Sequence, residues 1–363
     1  MTLREIHADH GATFTERGGQ EVVAHYGRPG RAHRAVRNGV GLIERAVDVL
    51  VVTGEDRHEY VDNAVSNAVP TQDGHGIYAL LLTPQGRIRT DMYVYNAGER
   101  LLVLVPPGEG KDLAAEWNEK TFIQDVDIEY ASEEFGVFEV HGPTATEKIA
   151  SVFTEQTPDE QLQFVRGSMT GVGVTVIRTD APTGEEGYTV VCQATDRESV
   201  FDTLETRGPN AAPFGYRTWE SLTLEAGTPL FESELDGRLP NNLGLDNALD
   251  YEKGCFVGQE VVSRIQNRGQ PNERLVGLAV ETVPQPGATV FDGDETVGEV
   301  TRAVDSPSLE EPIALALVAT DADIDASDEL TVRVEEAERT ATHRLLPFVG
   351  GSDTSARCPS AVD

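Results

Sequence analysis

Gly269-Gln270-Pro271-Asn272-Glu273-Arg274-Leu275-Val276-Gly277-Leu278-Ala279-Val280 decides how the chain divides. Its opening glycine and proline form a natural break, and from Arg274 the character of the sequence changes. Residues 275–280, 288–292, 296–302, 313–318 and 330–334 are short, β-rich and separated by Pro, Gly and Asp. Closely spaced short strands predict a small barrel over residues 271–348. The polar stretch after it, 349–363, reads as a disordered tail.

Upstream of the break, strands and helices mix without strict βαβ alternation, which favours an α+β fold over a doubly wound sheet. Residues 47–53 are apolar and β-branched, and Gly54-Glu55-Asp56 then turns into a helix over 57–65. Residues 77–82 and 92–95 read as strands, and the turn Thr83-Pro84-Gln85-Gly86 suggests a hairpin. A strand at 101–105 ends at Pro106-Pro107 and precedes a helix over 110–120. The next unit starts with a strand at 137–140, running into His141-Gly142-Pro143. Pro143 suits the first turn of a helix over 144–153. Residues 171–178 and 187–192 form paired strands, and 196–205 is helical. A strand–turn–helix opening therefore occurs twice, at 49–65 and 138–153, which hints at duplication. The expected architecture is two related α+β domains, 1–135 and 136–270, followed by the barrel.

The chain has 363 residues, with 62 acidic against 29 basic side chains and a formal net charge of -33. The acidic residues are spread throughout, which resembles the surface of a protein from a high-salt cytoplasm. At molar salt the Debye length falls to ~3 Å and self-repulsion is screened. This balance argues against broad nucleic-acid binding through counterion release. The N-terminus lacks the apolar run of a secretory signal, and no stretch approaches a membrane span, so a cytoplasmic location is expected. Cys192, Cys255 and Cys358 are odd in number and far apart, which speaks against a disulfide framework. Cys192 ends the apolar run Tyr188-Thr189-Val190-Val191 and reads as a buried strand residue.

Lys253-Gly254-Cys255-Phe256-Val257-Gly258-Gln259-Glu260, closed by Arg264, sets one thiol beside a lysine and between two glycines. Lys253 and the N-terminal dipole of a helix beginning near Gly258 would both lower the thiol pKa. Glu260 and Arg264 have the i, i+4 spacing of a helical ion pair. A glycine-rich helix entry with a passive cysteine is the alternative; the crowding of polar groups favours function. Thr183-Gly184-Glu185-Glu186-Gly187-Tyr188 holds two carboxylates on a turn between strands, where they can accept paired N–H donors from a heterocycle. A solvated hairpin is the bland alternative. Asp91, at a strand entrance after Arg87 and Arg89, can accept a proton or stabilise a developing cation. There is no P-loop, zinc-protease helix, CxxC pair or serine elbow. Gly171-Val172-Gly173 lacks the third glycine of a dinucleotide loop, and His7, His10 and His25 show no metal-ligand spacing.

In order, the Asp91 turn, Val140-His141-Gly142-Pro143, the Thr183–Tyr188 turn, Leu224-Glu225-Ala226-Gly227 and the Lys-x-x-Phe-x-Gly segment before a barrel resemble one superfamily. It is the folate-binding aminomethyltransferase family of the glycine cleavage T-protein, over roughly residues 35–345. Residues 253–264 are similar to the signature of its YgfZ branch, relatives of an iron–sulfur assembly factor. The resemblance implies a cloverleaf of two α+β domains and a barrel around a tetrahydrofolate site. It implies Cys255 and Asp91 as the reacting residues, and Glu185, Glu186, Tyr188, Glu225, Lys253, Gln259 and Arg264 as ligand-binding candidates. Two functions follow from it. One is an assembly or repair factor for iron–sulfur proteins, including tRNA-modifying enzymes, acting through Cys255 on client or assembly partners. The other is an aminomethyltransferase in which Asp91 orients the folate nitrogen. A departure is Thr223, which stands where the family has a folate-proximal arginine.

Overall fold

The computed structural model describes residues 2–322, 329–335 and 337–359. The chain opens with α1 (Leu3–Asp9), started by a Thr2/Glu5 capping box, then a hairpin of β1 (Thr13–Arg17) and β2 (Gln20–His25). Helix α2 (Pro29–Asn38), with proline in its first turn, and strand β3 (Gly41–Glu44) follow. The next series is β4 (Asp48–Thr53), α3 (Arg57–Ala64), β5 (His75–Leu82), β6 (Ile88–Asn96), β7 (Leu101–Val105), α4 (Gly110–Lys120) and β8 (Asp127–Tyr130). A similar series is β9 (Phe135–His141), α5 (Ala145–Val152), β10 (Phe164–Met169), β11 (Val172–Arg178), β12 (Gly187–Gln193) and α6 (Arg197–Thr206). Strand β13 (Ala212–Pro213), α7 (Tyr216–Glu225) and α8 (Gln259–Arg268) lead to the last six strands. These are β14 (Glu273–Val280), β15 (Thr289–Asp292), β16 (Glu295–Ser306), β17 (Glu311–Ala319), β18 (Glu329–Val334) and β19 (Ala337–Arg344).

Among the described residues, one sheet runs β5-β6-β7-β4-β8 and another β10-β11-β12-β9-β3-β13, while β14–β19 close into a barrel. The leading strands of each sheet stand in the same order within their series, which is the topology of a duplicated α+β unit. Strand alternation builds the layers. Along β6, Met92 and Val94 pack under α3 and α4 with Trp117, whereas Tyr95 packs against the other sheet. Along β9, Phe138 and Val140 lie under α5 and α6, and Val137 joins Val49, Leu104 and Val191 between the sheets. A fully buried side chain such as Phe138 contributes roughly 1.5–3 kcal/mol. Outward-facing Leu275, Leu315 and Leu317 of the barrel pack on Leu80, Leu82 and Ile88 of the β5–β6 hairpin.

Two boundaries differ from the sequence reading. Residues 1–135 do not form one unit, because β3 pairs with β9 and completes the second sheet. Leu42 and Ile43 are apolar on both faces, as a central strand requires, but sequence periodicity does not say which sheet receives it. The tail is not disordered over residues 349–359: it turns back onto the body, where Ser355 and Arg357 are buried. Residues 360–363 of the expected tail lie outside the described part.

Candidate functional site

Where the two sheets diverge they leave a cavity of about 110 Å³. Its polar wall comes from β6, whose Asp91, Tyr93 and Tyr95 alternate onto one face. Glu139 of β9 and Thr189 of β12 are cross-strand partners on the facing sheet. Asp180 follows β11, Arg45 follows β3, Trp219 and Tyr216 come from α7, and Arg357 arrives from the C-terminal segment. Ala181, next to Asp180, takes a left-handed backbone (φ 54°), and its N–H is held by the Thr179 hydroxyl at 3.2 Å. Such a conformation is costly for a residue with a Cβ and recurs where a loop is shaped for a ligand.

Tyr78 donates to Asp91 Oδ2 at 2.9 Å, and Tyr93 donates to Asp180 Oδ1 at 2.8 Å. Asp91 Oδ1 and Asp180 Oδ2 are buried without a hydrogen-bond donor, as are Arg45 Nε and Nη1 without an acceptor. Burial pushes the Asp91 carboxyl above its ordinary pKa, against the opposing pull of Arg357 and the Tyr78 hydrogen bond. Burial acts in the same sense on Glu139, but Arg45 and His141 outweigh it and hold that carboxyl low. Burial also raises the phenols of Tyr78, Tyr93 and Tyr95, which keeps them as donors. The Arg45 guanidinium stacks 3.7 Å from the Trp219 ring centre. Its Nε lies 3.6 Å from Glu139, too far for a hydrogen bond. Arg17 at the rim is taken up by Glu220 and Glu232. Buried polar atoms are ordinarily paired, so unmet acceptors and donors on residues that line one aromatic-walled cavity mark a place for a polar ring.

The residues singled out by sequence do not converge here. Asp91 alone among them lines the cavity. Period-two alternation turns Tyr188 to the helix-covered face, where its hydroxyl meets Thr146 at 2.9 Å, and gives the inward position to Thr189. Glu186 also binds Thr146. Glu185 accepts from Arg37 at 2.9 Å and from Ser352. Glu225 is a buried hub, receiving Arg37 (3.0 Å), His33 (3.0 Å), Ser306 (2.6 Å) and Ser308 (2.9 Å). It ties α7 to α2 and the barrel, and these partners outweigh burial to lower its pKa to about 2. Thr223, in place of the family arginine, accepts from Arg302 of β16 at 2.8 Å.

The 253–264 segment is an assembly of packing contacts. Lys253 Nζ donates to the carbonyls of Asp62 (2.5 Å), Val65 (3.1 Å) and Asn67 (2.9 Å), closing the C-terminal end of α3. Its charge is therefore committed to those oxygens instead of to Cys255. Phe256 is buried. Gly258 (φ 83°) lets α8 touch the β5–β6 turn, where a Cβ would come 2.6 Å from the Thr83 carbonyl. Gln259 begins α8, and Arg264 pairs with Glu260 on its exposed face at 2.7 Å. Cys255 is an exposed free thiol outside the cavity lining. A wider depression of about 500 Å³ near Val257 has its charges mutually paired, Glu116 holding both Arg89 and Lys120. Among the described residues no His/Cys/Asp/Glu group is arranged to hold a metal, and no helix is long and apolar enough to cross a membrane.

Arg45, Tyr93, Glu139, Asp180, Trp219 and Arg357 were not found from sequence. The spacing Asp91, Tyr93, Tyr95 was a usable signal, since alternate strand residues share a face. The others come from separate elements and meet only in the fold.

Comparison with known proteins places the fold and the family. Residues 3–253 match the GCVT N-terminal domain, and residues 273–349 match the glycine cleavage T-protein C-terminal barrel domain. An aminomethyltransferase of Corynebacterium aurimucosum is 29% identical, over 94% of this chain and 96% of its own. One from Saccharopolyspora erythraea is 31% identical, over 88% and 89%. The crystal structure of glycine cleavage system aminomethyltransferase T from Bartonella henselae superposes with a TM-score of 0.86 at 22% identity, covering 98% of this chain and 99% of that one. Relatives carrying the aminomethyltransferase name along nearly the whole chain overturn the expectation of an iron–sulfur assembly factor with iron–sulfur partners. Family matches across both the two-sheet body and the barrel establish that the chain belongs to the glycine cleavage T-protein, or aminomethyltransferase, family.

Proposed function

We propose that this protein is an aminomethyltransferase that passes a one-carbon unit to tetrahydrofolate, the one-carbon acceptor of its family. The observation that carries this reading is the bare, buried Oδ1 of Asp91 in an aromatic-walled cavity. A pterin ring offers N–H donors together with ring acceptors. The cavity has the complementary set: Asp91 Oδ1 and Asp180 Oδ2 unmet as acceptors, Arg45 Nε and Nη1 unmet as donors. Bound tetrahydrofolate would supply the nitrogens that take up the one-carbon unit.

The chain's own residues supply position and electrostatics. Tyr78 fixes one oxygen of Asp91, so the other is aimed and available to an N–H of the ligand. Trp219 lies against the Arg45 guanidinium, whose unmet N–H groups are left for a ring oxygen or nitrogen. Arg45 thereby takes the role of a cavity cation in a chain that has Thr223 at the family arginine position. Holding both reactants against these groups lowers the barrier chiefly by orientation. The 253–264 segment, although similar to the YgfZ signature, acts in this reading as a latch between α3, α8 and the β5–β6 turn.

The test is turnover with a lipoyl-bound aminomethyl carrier and tetrahydrofolate, following methylene-tetrahydrofolate. Wild-type protein is expected to form it and to bind tetrahydrofolate. Absence of turnover with an intact carrier would dispose of the proposal.

A further inference from the structure

The segment after the barrel returns to the cavity and is fastened along its length. Gly351 meets the Gly184 carbonyl so closely that a Cβ would lie 1.8 Å away. Ser352 gives its N–H and hydroxyl to Glu185 Oε2 at 2.9 and 2.7 Å, and Asp353 pairs with Arg178 at 3.3 Å. The Ala356 N–H donates to the Asp180 carbonyl at 2.9 Å, while Asn247 donates to the Ala356 carbonyl at 2.6 Å. These contacts deliver Arg357, 7% exposed, into the cavity wall. Its guanidinium lies 4.9 Å from the Tyr78 ring centre, with Nε 3.0 Å from Asp180 Oδ2 and Nη1 3.7 Å from Asp91 Oδ2.

Both contacts are ion pairs without hydrogen-bond geometry: Arg357 Nε and Asp180 Oδ2 lack a hydrogen-bond partner, and the 3.7 Å to Asp91 is too long for one. Arg357 therefore acts through charge and placement. Asp91 is faced by Tyr78 of β5, Tyr93 of its own strand, Asp180 after β11 and Arg357; Glu139 of β9 and Arg45 stand across the cavity. Arg357 is the cation that reaches both Asp91 and Asp180. Two buried carboxylates without it would repel, and the cheapest relief is for one to take up a proton.

We propose that residues 350–359 form a strap belonging to the site, with Arg357 a positioning residue that serves as shared counter-charge to Asp91 and Asp180. The site is complete only when the strap is docked. The inference rests on the function proposed above for the identity of the ligand, but the charge arrangement is testable without one.

The test uses full-length Arg357→Gln, Arg357→Lys and the double variant Arg357→Gln/Asp180→Asn, ligand-free, with thermal midpoints followed from pH 5 to 8 at one salt concentration. Losing the cation raises the Asp91 pKa further in the folded protein. The folded state then keeps a proton that the unfolded chain releases, so the variant falls further behind wild type as pH rises. The midpoint gap of Arg357→Gln is expected to widen by at least about 2 °C across this range. It should narrow in Arg357→Lys and in the Asp180→Asn double variant. A gap that is constant with pH and untouched by Asp180→Asn would overturn the proposal, leaving Arg357 a packing anchor. In a second arm, the acid limb of tetrahydrofolate affinity should move to higher pH in Arg357→Gln; an unmoved limb would count equally against it. Wild-type protein that binds no tetrahydrofolate would dismiss the function above and leave the ligand-free result to decide the strap.

Discussion

Asp91 and Glu225 show how burial and partners divide the work of buried carboxylates. Asp91 is raised by burial and keeps an oxygen bare, as a group that awaits a ligand does. Glu225 has every neighbour arranged to keep it charged, as a structural hub does. Its folded pKa of about 2 lies below its ordinary value of 4.5, so its stabilisation is present above pH 4.5 and lost as pH falls toward 2. The shift corresponds to roughly 3 kcal/mol. Glu225→Gln should therefore lower the thermal midpoint at neutral pH, with the gap to wild type closing in acid. Arg45→Met is expected to weaken tetrahydrofolate binding about tenfold or more, read by titration calorimetry, because the ligand's acceptor loses a charged donor. Sequence alone gave these three residues no common rank. Asp91 was picked out at an expected strand entrance, although β6 starts at Ile88 and Asp91 lies within it; Glu225 was picked out only as part of a motif, and Arg45 carried no signal before Trp219 was brought beneath it.

Strands and helices were more readable than the contacts between them. The hairpin turn at residues 83–86 and the β-rich barrel follow from local chemistry that the sequence displays, whereas Pro143, expected in the first turn of α5, stands before the N-cap Thr144 and outside the helix. The membership of β3 in the second sheet, and the docking of residues 349–359, depend on partners distant in the chain. The 253–264 segment shows how contacts distant in the chain change what residue types suggest. Lysine, glycine and cysteine side by side suggest an activated thiol, yet the lysine caps α3 and the glycine permits a backbone contact. Lys253→Met should cost about 1–3 kcal/mol, since it strips a charged donor from partly buried carbonyls and from the Asp62 carboxylate. Cys255→Ser, at an exposed position, should stay within about 0.5 kcal/mol of wild type. Denaturant unfolding at fixed salt separates the two.

At the scale of the molecule, a net charge of -33 and the buried ion pairs respond differently to salt. Surface repulsion is screened by added salt, whereas the enclosed Arg357–Asp180 and Arg37–Glu225 pairs are not. The thermal midpoint should thus rise by several degrees between about 0.1 M and molar salt, with the pH behaviour of Arg357→Gln preserved. The two sheets, α7 and the C-terminal segment create a site from groups that no single sheet contains. That is why the fold was visible in the sequence while most of its centre was not. The central claim is that chemistry resides at Asp91 in this cavity and not at Cys255. It is tested most directly by measuring methylene-tetrahydrofolate formation from an aminomethyl carrier in wild type, Asp91→Asn and Cys255→Ser. The prediction is a loss of about 100-fold or more in Asp91→Asn and an unchanged rate in Cys255→Ser. An Asp91→Asn protein as active as wild type, or activity abolished by Cys255→Ser, would contradict the account.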